Sequence, residues 1–425
     1  MSSIDNYSTK LLLDIKDNNL TFSNFYLADD QVTKILVAEL KLPWSTCPNC
    51  RYPLVHNGHY VSHVRYLSAN ASKPLQIELH KQRLYCQSCH HSFMANSPLI
   101  DKHCSIANPV KQKIIQDLTT DRAMTDIAQS NHVSANTVLR TFTKFKHLPQ
   151  DTDYNYLPEH LGVDEFRGVG RQLHFICVDD DTHEIIKILP TRLKKEIMAC
   201  FKKFPLIVRS RVKTITMDLN AYYQDLAQEL FPNAQIIIDR FHIVQMLNRS
   251  FNQLRVQTMK QFKHSDRRYS LLKYYWKSYL KPYNQLEVKQ VKYYQHLKDR
   301  LTQEQIVEEG LAVSPKLRAT YDLMQDFRQA LANHNPKQMS QLCDEDVALG
   351  EQMKITLKTF KHNRKAVLNA ATSKYSNGCV EGTNRKIKQI QRTAYGYRNF
   401  SNMTARIRLE AKNAILKENN LSMIA

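Results

Sequence analysis

The chain has 425 residues, with 60 Lys and Arg against 40 Asp and Glu, a formal charge of +20 and an isoelectric point of about 9.4. That length accommodates roughly two to four domains and a sizeable core, and the charge points to a polyanionic partner, nucleic acid first. No apolar run approaches the roughly 20 residues of a spanning helix, which argues against a membrane partner, and Met1-Ser-Ser-Ile-Asp-Asn6 lacks the basic start and apolar core of a secretory leader.

Residues 1–43 form an N-terminal segment of mixed pattern, with a helix expected over Asp30–Leu40. Residues 44–95 carry Cys, His and aromatic residues around strand-like runs such as Leu75-Gln-Ile-Glu-Leu79 and Arg83-Leu-Tyr85. Cys47-Pro-Asn-Cys50 and Cys86-Gln-Ser-Cys89 are two CxxC pairs. Four thiolates so paired make a closed tetrahedral site for structural Zn²⁺, so a zinc ribbon is expected, with a two-stranded insertion filling the long gap between the pairs. The alternative is four buried or redox-active thiols. Nine cysteines, an odd number, fit metal binding in a reducing cytoplasm better than a disulfide framework. Cys104, Cys177, Cys200, Cys343 and Cys379 have no ligand spacing and are expected as small buried apolar residues.

Residues 105–147 turn helical and basic, and Thr125–Arg140 has the form of a helix-turn-helix. Ile127 and Ala128 would face a core, Ser130-Asn-His132 would turn, Ser134 would cap the second helix, and Val138 and Leu139 would anchor it. Ala135, Asn136, Thr137 and Arg140 would then be offered to a major groove. An ordinary helical hairpin is the alternative. Leu148–Pro158, with two prolines and several Asp and Asn, reads as a linker. Strands follow at Leu161–Phe166, Gln172–Val178 and Glu184–Leu189, a helix at Arg192–Phe204, a strand at Val212–Met217, a helix at Ala221–Phe231 and a strand at Ala234–Ile238. That succession predicts an α/β core with a mixed sheet. From about 243 to 370 the chain reads as almost wholly helical and basic.

Within this basic chain, Asp164 lies in the first core strand and Asp218 directly follows the fourth. If those strands are neighbours, the two carboxylates meet, and their repulsion calls for divalent cations. Mg²⁺ suits such hard oxygen ligands. Glu165, one residue on from Asp164 in a strand, points to the opposite face and is not expected to ligate. Asp179, Asp180 and Asp181 are expected as a solvated hairpin turn. Arg249, Arg255, Lys260, Lys263, Arg267, Arg268, Lys273, Lys277 and Lys281 interleave with Tyr269, Tyr274, Tyr275, Trp276 and Tyr279. This composition suits phosphate contacts with base stacking, or else a helical domain with an aromatic core.

Gly162-Val-Asp-Glu-Phe166, Thr216-Met-Asp-Leu-Asn220, Asp239-Arg-Phe-His-Ile-Val-Gln245, the stretch from Ser376-Asn-Gly378 through Lys386-Ile-Lys388, and Arg392-Thr-Ala-Tyr-Gly-Tyr-Arg-Asn-Phe400 closely resemble bacterial insertion-sequence transposases of the ISL-three family. The resemblance implies an RNase H-like DDE core interrupted by a helical insertion, with Asp164, Asp218 and Glu381 as a triad for two Mg²⁺ or Mn²⁺ ions. Asp239 and His242 resemble a D-x-x-H signature that supports such sites; the alternative is an Asp–His hydrogen bond pinning a helix start. Cys379-Val380 departs from the basic residue and Ile expected before the Glu. Arg385, Lys388 and Arg392 follow Glu381 on the same helix and would hold DNA phosphates.

The implied activity is a DNA transposase that binds the element's terminal inverted repeats, cuts at its ends and joins the 3′-OH to target DNA. The rivals are a non-cutting DNA-binding regulator of the same descent and a metal-dependent nuclease without strand transfer. Pairing two ends implies a homo-oligomer, at least a dimer, on double-stranded DNA in a bacterial cytoplasm at the nucleoid. The expected organisation is multi-domain α+β: the segment 1–43, zinc ribbon 44–95, helix-turn-helix 105–147, core 159–244, insertion 245–365, and the last part of the core with C-terminal helices 366–425.

Overall fold

Leu75, Ile77 and Leu79 alternate with Gln76, Glu78 and His80, the period of a strand with one buried face. That strand organises one of the two units into which the computed structural model divides, residues 1–151 with 387–425. The structure describes residues 4–68, 73–146, 153–219, 221–345 and 348–411. The linker expected over Leu148–Pro158 therefore lies partly outside the described residues, as does Asn220.

In this unit a short helix α1 (Asn6–Leu12) precedes β1 (Leu20–Leu27), β2 (Lys34–Leu40), β3 (Leu54–Tyr66), β4 (Leu75–Cys86) and β5 (Ser92–Met94). The strand order is β1-β2-β4-β3, and β5 pairs with the far end of β4. Asp30–Leu40, expected as a helix, holds the strand β2 instead. Leu36, Ala38 and Leu40 are buried at alternate positions, and parallel pairing with residues 75–81 of β4 outweighs the local helical pattern. β3 and β4 run unbroken from the cysteines into this apolar sheet, so segment 1–43 and the cysteine-bearing segment share one sheet.

Three helices follow, α2 (Asn108–Asp117), α3 (Met124–Ser130) and α4 (Ala135–Lys146). Ile127, Val138 and Phe142 pack into the same core as Val64 and Ile77 of the sheet. The C-terminal helix Phe400–Ala411 completes that core through Leu409. On it, Arg406 is 2% exposed. It pairs with Glu410 at 2.7 Å and donates to the backbone oxygens of Thr120 at 2.9 Å and Arg122 at 2.8 Å.

The other unit, residues 152–386, contains β6 (His160–Arg167), β7 (Leu173–Asp179), β8 (Ile185–Leu189), α5 (Lys194–Phe201), α6 (Leu206–Arg209), β9 (Thr214–Met217), α7 (Ala221–Leu230) and β10 (Gln235–Ile238). The expected mixed sheet is present, ordered β10-β9-β6-β7-β8. β10, β9 and β6 are parallel, and β7 and β8 alternate against them. β10 is a short, nearly continuous apolar run, Gln235-Ile-Ile-Ile238, as befits a strand covered on both faces.

Helices α8 (Arg240–Met259), α9 (Arg267–Tyr274) and α10 (Trp276–Tyr279) open the expected insertion. A hairpin, β11 (Lys292–Tyr294) and β12 (Asp299–Leu301), then interrupts the stretch expected to be almost wholly helical. Leu297 and Leu301 bury against Leu271 and Ile306, which gives the hairpin its own small core. Helices α11 (Gln303–Leu311), α12 (Pro315–Ala332), α13 (Pro336–Cys343), α14 (Glu351–His362) and α15 (Arg364–Thr372) follow. Residues of α16 (Gly378–Thr393) up to Lys386 close the unit.

Candidate active site

Asp164 lies within β6, the central strand, opposite Ile176 of β7. Asp218 is the first residue after β9, and Asp239 the first after β10, directly ahead of α8. Because β9 and β10 are parallel neighbours, both acids leave the sheet at the same end. The Asp239 backbone N–H donates to the Met217 carbonyl at 2.9 Å, which locks the two strand ends together. One turn into α8, His242 places Nε2 2.9 Å from Asp218 Oδ1. Ligand atoms of Asp218, Asp239 and His242 all lie within 4.8 Å of one another. Two carboxylates and an imidazole so grouped suit a divalent cation with oxygen and nitrogen donors.

Asp164 stands beside this trio. Burial above all, and then the neighbouring Asp218 charge, push its carboxyl up to about 6. Burial likewise raises Asp239, to which Glu381 adds a like charge. His242 is raised by its hydrogen bond to Asp218. The buried acids thus face one another with too little positive charge between them, the condition that a bound cation relieves. Asp239 and His242, expected as supporting residues, belong to the closest trio, whereas Asp164 and Glu381 flank it.

Helix α16 places three polar residues along the site. Asn377, at the start of this helix, donates through Nδ2 to Asp218 Oδ1 at 3.3 Å. Asn384 donates through Nδ2 to Asp164 Oδ2 at 2.7 Å. Glu381 lies between them in the first turn, its side chain 3.3 Å from Arg385 Nη2. Sequence reasoning missed Asn377 and Asn384. Their signal was the spacing 377, 381, 384, which is one face of a helix. Gly162 lets α16 approach: a Cβ there would meet Asp180 Oδ1 and Val380 Cγ2, each at 2.5 Å. Arg240, between Asp239 and Phe241, donates to the carbonyl of Ala370 at 2.7 Å and to that of Ser373, so it holds the end of α15 beside the site.

On the opposite face of β6, Glu165 pairs with Arg192 at 3.0 Å and accepts from Tyr223 Oη at 2.6 Å. The acidic run at the hairpin differs from expectation. Asp179 and Asp180 are buried, and Asp180 Oδ2 accepts from Thr216 Oγ1 at 2.8 Å. The turn is real, but Asp179 bonds back to Asp181 N–H and Thr182 Oγ1, which draws it inward.

In the other unit the four expected cysteines come together. Cys47 and Cys89 sulfurs are 3.5 Å apart, Cys50 and Cys86 sulfurs 3.4 Å, and all four lie within 4.8 Å. A tetrahedron with Zn–S of about 2.3 Å has S–S edges of roughly 3.8 Å, so the set fits structural zinc. The two CxxC turns are alike. Cys47 N–H donates to Tyr52 O and Cys86 N–H to His91 O, and the residue after each second Cys, Arg51 or His90, is left-handed. Of the remaining cysteines Cys177 and Cys343 are buried as expected. Cys200 and Cys379 are half-buried, and Cys104 is exposed because it sits in a surface turn.

Helices α3 and α4 occupy the positions expected for the helix-turn-helix. Ser134 Oγ accepts from Thr137 N–H at 3.2 Å as the cap, and Ile127, Ala128 and Val138 are buried. Two assignments on α4 exchange. Thr137 is buried and bonds to Ser134 Oγ and Arg140 Nη2, whereas Leu139 is 39% exposed. With Val138 and Phe142 set inward, the 3.6-residue period turns Asn136, Leu139, Arg140 and Lys144 outward. Arg385, Lys388 and Arg392 are each exposed on α16. In the insertion, Arg255, Tyr269 and Tyr279 are buried, while Tyr274 and Trp276 remain exposed. No helix among the described residues is long and apolar enough to cross a membrane.

A family model for transposases, of the DDE ISL3 type, matches residues 161–407. The chain is 24% identical over 339 residues to the transposase for insertion sequence element IS1001 of Bordetella parapertussis, covering 77% of this chain and 79% of that protein. It is 36% identical over 116 residues to a protein of Lactococcus lactis subsp. lactis named ATP-dependent protease, covering 27% of this chain and 37% of that one. The matched segment spans more than half of the chain and carries every acid of the site, so the chain belongs to the ISL3-type DDE transposase family.

Proposed function

We propose that this chain is a DNA transposase that binds the terminal inverted repeats of its element, cuts DNA at the element's ends and joins the 3′-OH ends to target DNA. The observation that carries this reading is the gathering of Asp164, Asp218, Asp239 and His242 at neighbouring strands beneath the Glu381 helix, in a chain of charge +20. A central first strand with two parallel neighbours on one side and antiparallel strands on the other supports an RNase H-like core.

Asp164, Asp218 and Glu381 are the proposed ligands, with Asp239 and His242 as supporting residues. Two Mg²⁺ or Mn²⁺ ions would supply activation of the attacking oxygen and stabilisation of the leaving one in an in-line displacement. His242 orients Asp218 from α8, and no side chain need act as a covalent nucleophile. Asn136 and Arg140 on the outer face of α4 would read the repeats, with Thr137 holding Arg140 from below. Arg385, Lys388 and Arg392 would contact phosphates. Cys47, Cys50, Cys86 and Cys89 would bind structural Zn²⁺. Two ends must be held together, so at least a dimer on DNA is proposed, at the nucleoid of a bacterial cell.

The test uses double-stranded oligonucleotides carrying the element's ends, a supercoiled target and Mg²⁺ or Mn²⁺. Wild-type protein should cut and join strands, and Asp164→Asn or Asp218→Asn should lose roughly a hundredfold or more, since even residues behind metal ligands contribute 10–100-fold. Cutting without joining identifies a nuclease; binding without cutting identifies a regulator. Full strand transfer by Asp164→Asn would place the site elsewhere.

A further inference from the structure

Asn377 and Asn384 are only 1% and 7% exposed, and each turns its amide nitrogen to one of the two central acids. Their Oδ1 atoms are buried with no hydrogen-bond partner among the described residues. A buried amide oxygen left unpaired is unfavourable. Turning either amide over would be worse, because Oδ1 would then face a carboxylate. The acids thus dictate the orientation of the amides. The two residues bracket Glu381, and the Asn377 carbonyl accepts the Glu381 backbone N–H at 2.9 Å.

We propose that Asn377 and Asn384 are positioning residues for the acid pair. Their amide hydrogens offset the facing charges of Asp218 and Asp164 before ions bind, and they set the register of α16 so that Glu381 arrives at the same place. Asn384 also donates to the Glu165 carbonyl at 3.4 Å, which ties that register to the backbone of β6. Neither residue acts on DNA. Both decide where the ligands stand, as outer partners of metal ligands commonly do. This inference rests on the proposed divalent-ion chemistry of the site.

Two measurements on the full chain test it. The first is cleavage of end DNA against Mg²⁺ concentration. Asn384→Ala and Asn377→Ala should raise the half-saturating Mg²⁺ roughly tenfold or more. The second is thermal unfolding with and without Mn²⁺, which needs no activity. Asn384→Asp keeps the shape but sets a carboxylate against Asp164. It should melt below wild type without metal, and Mn²⁺ should raise its midpoint by more than it raises that of wild type. An unchanged Mg²⁺ requirement in the alanine variants overturns the proposal, as does a deficit in Asn384→Asp that Mn²⁺ does not narrow. If the wild type shows no metal-dependent cleavage, the transposase reading falls. The unfolding measurement still decides whether the amides offset the acids.

Discussion

At the residue scale the site depends on the absence of a side chain as much as on those present. Gly162 sits two residues before Asp164 and faces Val380, Asp180 and Thr216. A methyl group there has no room, and neither the strand nor α16 can yield without moving Asp164 or Glu381. Gly162→Ala is therefore expected to destabilise the chain by about 1–3 kcal/mol through overpacking. It should also depress cleavage more than that loss accounts for, because α16 carries Glu381. Urea unfolding alongside a cleavage assay under conditions where the variant is fully folded would check both; wild-type activity in a destabilised variant would refute the second. Asp164 and Asp218 were legible in the sequence, because an acid in or just beyond an apolar strand has a defined place. Asn377 and Asn384 were not. Asn377 beside Gly378 reads as a turn, Asn384 between Thr383 and Arg385 reads as a polar position of a helix, and the acids they bond are more than 150 positions away in sequence. Asp180 was misplaced for a related reason: composition identifies a turn but not which of its side chains turns inward.

At the scale of elements, period and pairing decided what could be read. The core strands and the two CxxC turns follow from local pattern, and they lie where the pattern placed them. β2 does not, because its strand character comes from β4, which is distant in sequence. The β11–β12 hairpin escaped notice because strands of three residues leave almost no periodic trace. On α4 the helix was legible but its rotation was off by one position, which exchanged Thr137 and Leu139. The corrected rotation makes a distinction that can be measured. Arg140→Ala, on the outer face, should weaken binding to end DNA by about 1–3 kcal/mol with the melting temperature unchanged. Thr137→Ala removes a buried hydroxyl that bonds both Ser134 and Arg140, so it should lower the melting temperature as well. Titration of labelled end DNA against each folded variant, paired with thermal melts, separates the two roles.

At the scale of the whole molecule, charge and family resemblance indicated the partner, while the physical reading of individual residues could not reach Glu381. The helices between Asp218 and Glu381 pack around Phe251, Tyr321, Phe327 and Phe360 in a core continuous with that of the sheet, and nothing in their periodicity indicates where the chain returns to the acids. The order of assembly follows from one further feature. The helix Phe400–Ala411 buries Leu409 in the core shared with α2, α3 and α4, and Arg406 binds the carbonyls of Thr120 and Arg122 just ahead of α3. Chain emerging from a ribosome therefore begins this unit before the unit of residues 152–386 and completes it only after that unit has been made. Until Phe400–Ala411 appears, the nascent protein carries an open apolar face where α3 and α4 should be braced. A gene copy truncated by a frameshift before residue 400 should yield a protein that neither grips end DNA nor resists proteolysis around α3 and α4. Supplying Phe400–Ala411 as a separate peptide should restore protection. If α4 reads the element's ends as proposed, loss of reading frame anywhere before residue 400 would silence that recognition as well, and a damaged copy would not be left as a competitor for the ends.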